Sequence, residues 1–229
     1  MELRDRRYVF DDRIDAGEIL GAMLKTDYGG IKDGVVMAIP SGGVPVGIKV
    51  SERLDLPFDL VIVRKLQIPG NPEAGFGAVT LDGKTFLNEV LSSRLTSQQI
   101  DMEKARVGSE LEKRNAKFRR GRPLPDLTNK RVILVDDGLA SGYTMLASID
   151  MVRQAKAEET IVAVPTAPQR SIDLITPKAD KIFCANIRTS MYFAVADAYR
   201  NWYDLTEEEV LDLLRALKPI SPLEMDRAK

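Results

Sequence analysis

The feature that most constrains this chain is an apolar run that ends in two adjacent carboxylates and a loop of small residues. The run is VILV at 132–135, and it is followed by DDGLASGYT at 136–144. The run favours a buried strand, and the residues from Met145 onward favour a helix. Ligands of open α/β sheets bind at the carboxyl ends of the strands, where a helix N-terminus offers N–H groups to an anion. The segment therefore indicates a phosphorylated sugar, with its phosphate on the loop and its hydroxyls or a hydrated Mg²⁺ at the carboxylates.

The string DDGLASGYT resembles the signature of the type I phosphoribosyltransferases. That signature has two acidic residues, three variable positions, Thr/Ser-Gly, one variable residue and Thr, and Ser141 stands in the usual threonine place. The resemblance implies that the 5′-phosphate of phosphoribosyl diphosphate (PRPP) binds to the loop, at Ala140, Ser141, Gly142, Tyr143 and Thr144. It also implies that Asp136 and Asp137 face the ribose, act in catalysis and hold Mg²⁺ through water. An ordinary loop with a capping aspartate would explain one carboxylate but not the pair.

A second loop of the same kind lies upstream. Apolar residues at 35–39 precede Ser41, Gly42 and Gly43, and a helix pattern follows. Paired glycines let the backbone approach an anion closely. In phosphoribosyltransferases the equivalent loop contacts pyrophosphate, often with an Arg or Lys beside the glycines. Ser41 stands where that cation would be, so the neutralising charge is expected from other residues.

Arg64 and Lys65 are the expected replacement cations, because they close the next apolar strand, predicted over 58–63. Adjacent cations are often mere surface residues, but this pair lies at the presumed crevice, and we interpret both as catalytic. The residues at 66–77 contain glycines and prolines and are predicted to form a loop. In the family, a flexible loop at this place closes over the active site and excludes water.

Composition restricts the chemistry. The 229 residues include no histidine, so a His-based triad or an imidazole base is impossible, and the single Cys184 excludes an internal disulfide. Cys184 is interpreted as a core thiol. The net charge of −1 predicts no general attraction to nucleic acid. The absence of a membrane-spanning apolar run or a secretory signal favours the cytoplasm.

Strand and helix patterns alternate along the chain. They predict an α/β fold with a mostly parallel sheet flanked by helices. Asp82-Gly83 predicts a tight hairpin. The fold is also expected to carry a small hood or appendage. Capping patterns at Asp11 or Asp12, Thr96 and Thr206 predict three helix starts. The expected organisation is one domain over 1–218 and a loosely ordered tail over 219–229.

Two further groups of residues have simple interpretations. The basic residues between 113 and 122 follow acidic ones on a polar helix, which favours a solvated face or a subunit contact over an RNA site. The aromatic residues between 192 and 203 favour core packing, although one ring near a hood would be able to stack on an acceptor base. The sequence leaves a homo-oligomer open.

The expected function is transfer of phosphoribose from Mg-PRPP to a small nitrogenous acceptor, a pentosyltransferase (glycosyltransferase) reaction of nucleotide metabolism. SGGVPV at 41–46, VRKL at 63–66 and PGNPE at 69–73 resemble a subgroup whose acceptor these motifs leave undecided. Ala140 disfavours 6-oxopurines, whose enzymes often carry a carboxylate there. A regulatory protein that senses PRPP or nucleotides without transferring them is the main alternative. A PRPP synthetase-like kinase would need an ATP site as well.

Overall fold

The computed structural model describes residues 4–120 and 122–217. The tail predicted over 219–229, together with the domain boundary at 218, lies outside these residues. The strands are β1 (Gly34–Ala38), β2 (Phe58–Leu60), β3 (Val63–Ile68), β4 (Asn71–Thr80), β5 (Thr85–Leu87), β6 (Arg131–Val135), β7 (Glu159–Pro168) and β8 (Lys181–Arg188). The helices are α1 (Arg13–Tyr28), α2 (Gly43–Leu54), α3 (Glu89–Ser92), α4 (Ser97–Arg119), α5 (Tyr143–Gln154), α6 (Gln169–Ile175) and α7 (Glu207–Ala216).

Five strands form a parallel sheet in the order β2-β1-β6-β7-β8. The apolar run at 132–135 is β6, in the centre of this sheet. Val132 and Leu134 pack with residues of α5 and α6, whereas Ile133 and Val135 pack with residues of α1 and α2. Because both faces of the strand are covered, neither face needs polar residues, and the run is continuously apolar. The predicted α/β sheet flanked by helices is confirmed.

The strand predicted over 58–63 is wrong, because it is two strands of different sheets. β2 ends at Leu60, and the N–H of Val61 still donates to the Ala38 carbonyl of β1 at 2.9 Å. β3 then begins at Val63 in a second sheet with the order β3-β4-β5, which is antiparallel. A continuous apolar stretch gives no sign of where a chain leaves one sheet for another.

The loop predicted over 66–77 is also wrong. Residues 63–68 and 71–80 pair as β3 and β4 around Gly70, whose φ of +79° suits a tight turn. The second hairpin, β4-β5, contains Gly83 at φ +83° and confirms the turn predicted at Asp82-Gly83. This small sheet packs between α5 on one face and α4 on the other, and it is the expected appendage.

The predicted helix starts are confirmed. Asp12 caps α1, accepting hydrogen bonds from two backbone N–H groups, and Thr96 and Thr206 form capping boxes at α4 and α7. These caps fix where the helices begin. The cap at Thr96 therefore sets the position of the long helix α4 along the small sheet.

Part of the basic run on α4 is not a solvated face, contrary to the simple interpretation. Arg119 is buried, and its Nη1 lies 2.6 Å from Asp59 Oδ1 on β2. The same guanidinium donates to the carbonyls of Leu60 and Pro123. Lys117 binds Glu207 on α7 at 2.6 Å. These contacts attach the C-terminal half of α4 to the edge of the main sheet and to α7.

We expect Arg119→Met to lower the free energy of unfolding by about 3 kcal/mol, because Asp59 loses its partner in a largely buried place. Arg153→Met is the matched control, since the Arg153–Asp180 pair is exposed on both sides and such pairs contribute about 1 kcal/mol at most. Urea unfolding of both variants measures the difference. Equal losses would contradict the structural role of Arg119.

Candidate active site

The two glycine loops meet at the carboxyl ends of β1 and β6, which are neighbours in the main sheet. The N–H of Ile39 donates to the carbonyl of Val135 at 2.9 Å, so the two strand ends are held together. A Cβ added to Gly42 would lie 1.9 Å from Asp137 Oδ2. The backbone of the first loop therefore rests directly against a carboxylate of the second.

Both loops lead into helices with uncapped N-termini. Of the five helices with ten or more residues in the described part of the chain, α2 and α5 begin at a glycine, Gly42 or Gly142, without a side-chain cap. The other three begin at Asp12, Thr96 and Thr206, whose side chains accept backbone hydrogen bonds. The first N–H groups of a helix have no partner within the helix, and they attract anions together with the helix dipole. At α2, however, the N–H groups of Gly43 and Val44 already donate to the carbonyls of Ile39 and Ser41, and Pro45 has no N–H group. The N-terminus of α5 is therefore the stronger candidate anion site, and the loop before α2 offers fewer free donors.

The residues expected to bind the 5′-phosphate form the connection from β6 to α5. Gly142 has φ +84°, which a β-branched residue rarely adopts, so this position of the loop favours glycine. Ser171 Oγ donates to the Ala140 carbonyl at 2.6 Å, and the Leu139 N–H donates to the Thr166 carbonyl at 2.9 Å. These bonds attach the loop to β7 and α6. Ala140 and Ser141 are exposed, whereas Tyr143 and Thr144 are half-buried.

The two carboxylates differ in their surroundings. Burial and the charge of Asp137 raise the pKa of Asp136 well above its usual value. Burial also raises the pKa of Asp137, but the Arg13 guanidinium opposes this effect. The N–H of Asp137 donates to Asp136 Oδ1 at 2.9 Å. A buried carboxylate pair with one cation is poorly compensated by the protein alone, which is typical of a functional site.

Arg13 is a site residue that the sequence analysis missed. Its Nε lies 2.9 Å from Asp137 Oδ2, and both side chains are largely buried. Its Nη1 donates to the Tyr203 carbonyl at 2.8 Å, and its Cζ lies 4.0 Å from the centroid of the Trp202 ring. The one local signal was an arginine directly after the capping Asp12, and nothing in the sequence pairs it with a carboxylate 124 residues away.

The aromatic residues near the C-terminus divide into two groups. Tyr199 is buried, packs against Phe10 and donates its hydroxyl hydrogen to the Asp137 carbonyl at 2.6 Å. Core packing is thus confirmed for Tyr199. Tyr192 is 80% exposed and Tyr203 is 55% exposed, so core packing is wrong for both. Tyr192 follows β8, at the same edge of the sheet as the glycine loops.

Arg64 and Lys65 do not form a joint cationic site, because neighbouring residues of a strand point to opposite faces. Arg64 pairs in register with Val79, on the α4 face, and its Nη2 binds Glu110 Oε2 at 2.9 Å. Lys65 pairs with Ala78, which packs towards α5. The two cations predicted together therefore lie on different sides of the small sheet.

Arg114 on α4 is the cation that contacts the first loop. Its Nη2 donates to Ser41 Oγ at 3.0 Å, and its side chain is half-buried. Burial and the charge of Arg64 lower the pKa of Arg114. A solvated face, one of the two interpretations of this basic run, is wrong for Arg114. Ser41 and Arg114 are 73 residues apart, and no motif connects them.

The carboxylates fit a magnesium ion that shares its coordination with a substrate. Within residues 4–120 and 122–217, no three His, Cys, Asp or Glu side chains are grouped so as to hold a metal ion. Mg²⁺ usually binds one or two carboxylates, several waters and substrate phosphates rather than a complete set of protein ligands. Asp136 and Asp137 match that donor set.

Cys184 is not a nucleophile, because burial raises the pKa of its thiol to about 12.

A parallel sheet with two glycine loops around a carboxylate pair defines a phosphate-binding α/β domain. The family model described as a phosphoribosyl transferase domain matches residues 14–201, a range that includes both loops. The chain therefore belongs to the phosphoribosyl transferase family, as the signature at 136–144 predicts.

Similar proteins agree with this assignment. A protein of Mycobacterium tuberculosis (strain H37Rv) named "Putative phosphoribosyl transferase" is 36% identical over 208 residues, which are 90% of this chain and 46% of that protein. An amidophosphoribosyltransferase of Methanothermobacter thermautotrophicus is 26% identical over 167 residues, 73% of this chain and 27% of that enzyme. The chain thus spans about half or less of the length of these relatives.

A solved structure extends the comparison to the fold. The crystal structure of a protein from Thermus thermophilus is 33% identical and superposes with a TM-score of 0.73. The superposition covers 90% of this chain and 97% of that one. Among the described residues of the present chain, no helix is both long and apolar enough to cross a membrane.

We expect Gly42→Ala to lower the free energy of unfolding by about 1–3 kcal/mol. Gly42 has a helical φ of −61°, so its backbone accepts alanine, but the new Cβ would overlap the Asp137 carboxylate that Arg13 holds in place. Gly108→Ala in α4 is the control: its Cβ meets nothing within 4 Å, and alanine there stabilises a helix by about 0.5–1 kcal/mol. Urea unfolding compares them, and an unaffected Gly42→Ala would show that the loops are not in rigid contact.

Proposed function

We propose that this chain transfers the 5-phosphoribosyl group of Mg-PRPP to a small nitrogenous acceptor and releases pyrophosphate. The observation that carries the proposal is the pair of glycine loops, which lead into helices without a side-chain cap and lie beside the Asp136–Asp137 carboxylate pair. PRPP has the matching order of groups: a phosphate, a ribose with two hydroxyls, and a diphosphate. Family membership supports the same conclusion.

Each part of the donor has a place in this arrangement. The 5′-phosphate binds to the loop over 140–144, where the hydroxyls of Ser141 and Thr144 add to the backbone N–H donors. The ribose hydroxyls donate to Asp136 and Asp137. The diphosphate lies against Ser41, Gly42 and Gly43. Asp136 and Asp137 would hold a hydrated Mg²⁺, which would supply positive charge for the leaving diphosphate.

The reaction breaks the bond from C1 of the ribose to a diphosphate oxygen and forms a bond from C1 to a nitrogen of the acceptor. The acceptor nitrogen gives up its proton to water, and the diphosphate leaves with the electron pair of the broken bond. Negative charge therefore grows on the leaving group while positive charge develops on the ribose. The protein stabilises the first with N–H donors and cations, and the second with Asp136 and Asp137. Neither task needs a histidine.

Arg64 and Lys65 keep a proposed part in catalysis, each from its own face of β3. Arg64 adds positive charge beside α4 and the first loop. Lys65 lies on the α5 face, where its charge would assist departure of the diphosphate if the small sheet closes on the site. The exposed Tyr192 is the aromatic residue best placed to stack on an acceptor base.

Asp136→Asn tests the reaction at the carboxylate with which no cation forms an ion pair among residues 4–120 and 122–217. We expect PRPP turnover to fall at least about 100-fold, as for lost transition-state stabilisation. The free energy of unfolding should not fall, because asparagine still accepts from the Asp137 N–H and the cost of burying the charge is removed. A screen of nucleobases and amines with PRPP and Mg²⁺ for pyrophosphate release provides the assay.

The same screen separates an enzyme from a sensor. A PRPP- or nucleotide-sensing regulator would bind PRPP and release no pyrophosphate with any acceptor. Release that depends on an acceptor and on Mg²⁺, and that Asp136→Asn abolishes, supports a transferase. PRPP binding without turnover would contradict the transferase proposal.

Gly142→Val tests the 5′-phosphate site. Valine is strained at φ +84°, and the added Cβ would lie 3.3 Å from Leu174 Cδ2, so we expect no measurable binding of ribose 5-phosphate. Ser141→Ala leaves the backbone donors in place and should weaken binding only about 10-fold, for one hydrogen bond to a charged group. Calorimetry with ribose 5-phosphate compares the two variants. Equal losses would show that the backbone does not dominate recognition.

A further inference from the structure

Arg114 reaches the first loop from a distant helix. It lies near the C-terminal end of α4, and its Nη2 donates to Ser41 Oγ at 3.0 Å. Its Cζ lies 5.2 Å from the centroid of the Phe118 ring, one turn further along the same helix. The guanidinium is therefore fixed at both sides, by the hydroxyl of the loop and by an aromatic ring.

The charges around Arg114 are not balanced. Arg64 binds Glu110 at 2.9 Å, and Arg106 binds both Glu103, at 2.6 Å, and Glu110. These four side chains form two cations and two anions and neutralise one another. Arg114 adds a third cation, and within the described part of the chain no carboxylate forms an ion pair with it.

The closest electrostatic influence on Arg114 is unfavourable. Burial lowers the pKa of Arg114 most, and the positive charge of Arg64 lowers it further, whereas Glu207 and Glu110 each favour the charged form more weakly. Glu207 is itself bound to Lys117. A half-buried cation next to another cation is stabilised when an anion binds beside it. Because Arg114 donates to Ser41, an anion bound to Arg114 must also fit beside Ser41, the first residue of the loop before α2.

We propose that Arg114 binds the diphosphate of the donor and replaces the cation that this chain lacks at Ser41. The inference rests on the proposed function. In other members of the family the glycine loop often carries the cation that contacts pyrophosphate itself, and here we assign that contact to Arg114 on α4. A guanidinium presents two parallel N–H groups, which match two oxygens of a phosphate. Arg114 binds the diphosphate with N–H groups that Ser41 does not use.

The opposing interpretation is that Arg114 only holds Ser41 in place. In that case the loss of either partner removes the same hydrogen bond, so Arg114→Ala and Ser41→Ala would affect the protein alike. If Arg114 binds the anion itself, Ser41→Ala leaves the cation available and is much the milder change. The two interpretations thus differ in the ratio of two measured affinities.

The test is calorimetric titration of the full chain with inorganic pyrophosphate and, separately, with ribose 5-phosphate. We expect Arg114→Ala to weaken pyrophosphate binding about 10- to 100-fold, the range for a lost hydrogen bond to a charged group. Binding of ribose 5-phosphate should change less than about twofold, because its phosphate lies at the other loop. Arg114→Lys should recover part of the loss, since lysine keeps the charge but not the two parallel donors.

Lys113→Ala is the matched control. Lys113 is the preceding residue on the same helix, carries the same charge and is exposed, so its loss should leave both affinities unchanged. If Lys113→Ala and Arg114→Ala weaken pyrophosphate binding equally, the effect comes from the lost net charge alone, and the proposal is overturned. Equal weakening by Ser41→Ala and Arg114→Ala would overturn it in favour of the positioning role.

The proposal and the proposed function fail in different ways. Suppose that the unmodified chain binds both ligands and that the Arg114→Ala variant binds pyrophosphate as tightly as the unmodified chain. Arg114 then does not bind pyrophosphate, and the proposed phosphoribosyl site is unaffected. If the unmodified chain binds neither pyrophosphate nor ribose 5-phosphate, the proposed function fails and the assignment of Arg114 with it.

Discussion

The ion pair between Arg13 and Asp137 holds the site together. Arg13 begins α1, Asp137 follows β6, and the Trp202 ring and the Tyr203 carbonyl close over the guanidinium. Asp137 Oδ2 accepts from Arg13 Nε, and the same oxygen is the atom nearest to the Cβ position of Gly42, which has no room for a side chain. The N-terminal helix, both glycine loops and the C-terminal segment therefore converge on a single carboxylate. A buried pair of this kind adds little net stability, but the loss of one partner is costly, so it fixes the geometry.

The local parts of the fold and site are visible in the sequence. Residues 132–135 of β6 are all apolar because helices cover both faces of the strand. The caps at Asp12, Thr96 and Thr206 use side chains that recur at helix starts. Gly142 is identified because its position in the signature needs a positive φ. Each of these signals lies within a few residues of the feature that it predicts.

The contacts that the sequence does not reveal are long-range. Arg13 and Asp137 are 124 residues apart, and Arg114 and Ser41 are 73 residues apart. A period of 3.6 residues places Arg114 on a polar helix but gives no information about which polar residue meets another element. The error at 66–77 has a different cause: glycine and proline favour turns locally, but pairing between β3 and β4 overrides that preference. Arg64 and Lys65 are neighbours in the sequence and are therefore predicted to act together. Neighbouring residues of a strand point to opposite faces, so their side chains lie apart.

The central claim is that the loops after β1 and β6 bind the two ends of one donor molecule. A crystal structure of the chain with Mg²⁺ and PRPP tests it most directly. The account predicts the 5′-phosphate at the N-terminus of α5, the ribose hydroxyls at Asp136 and Asp137, and the diphosphate between Gly42, Gly43 and Arg114. PRPP bound in the reverse orientation, or at a place that leaves Asp136 and Gly142 without contact, would contradict it.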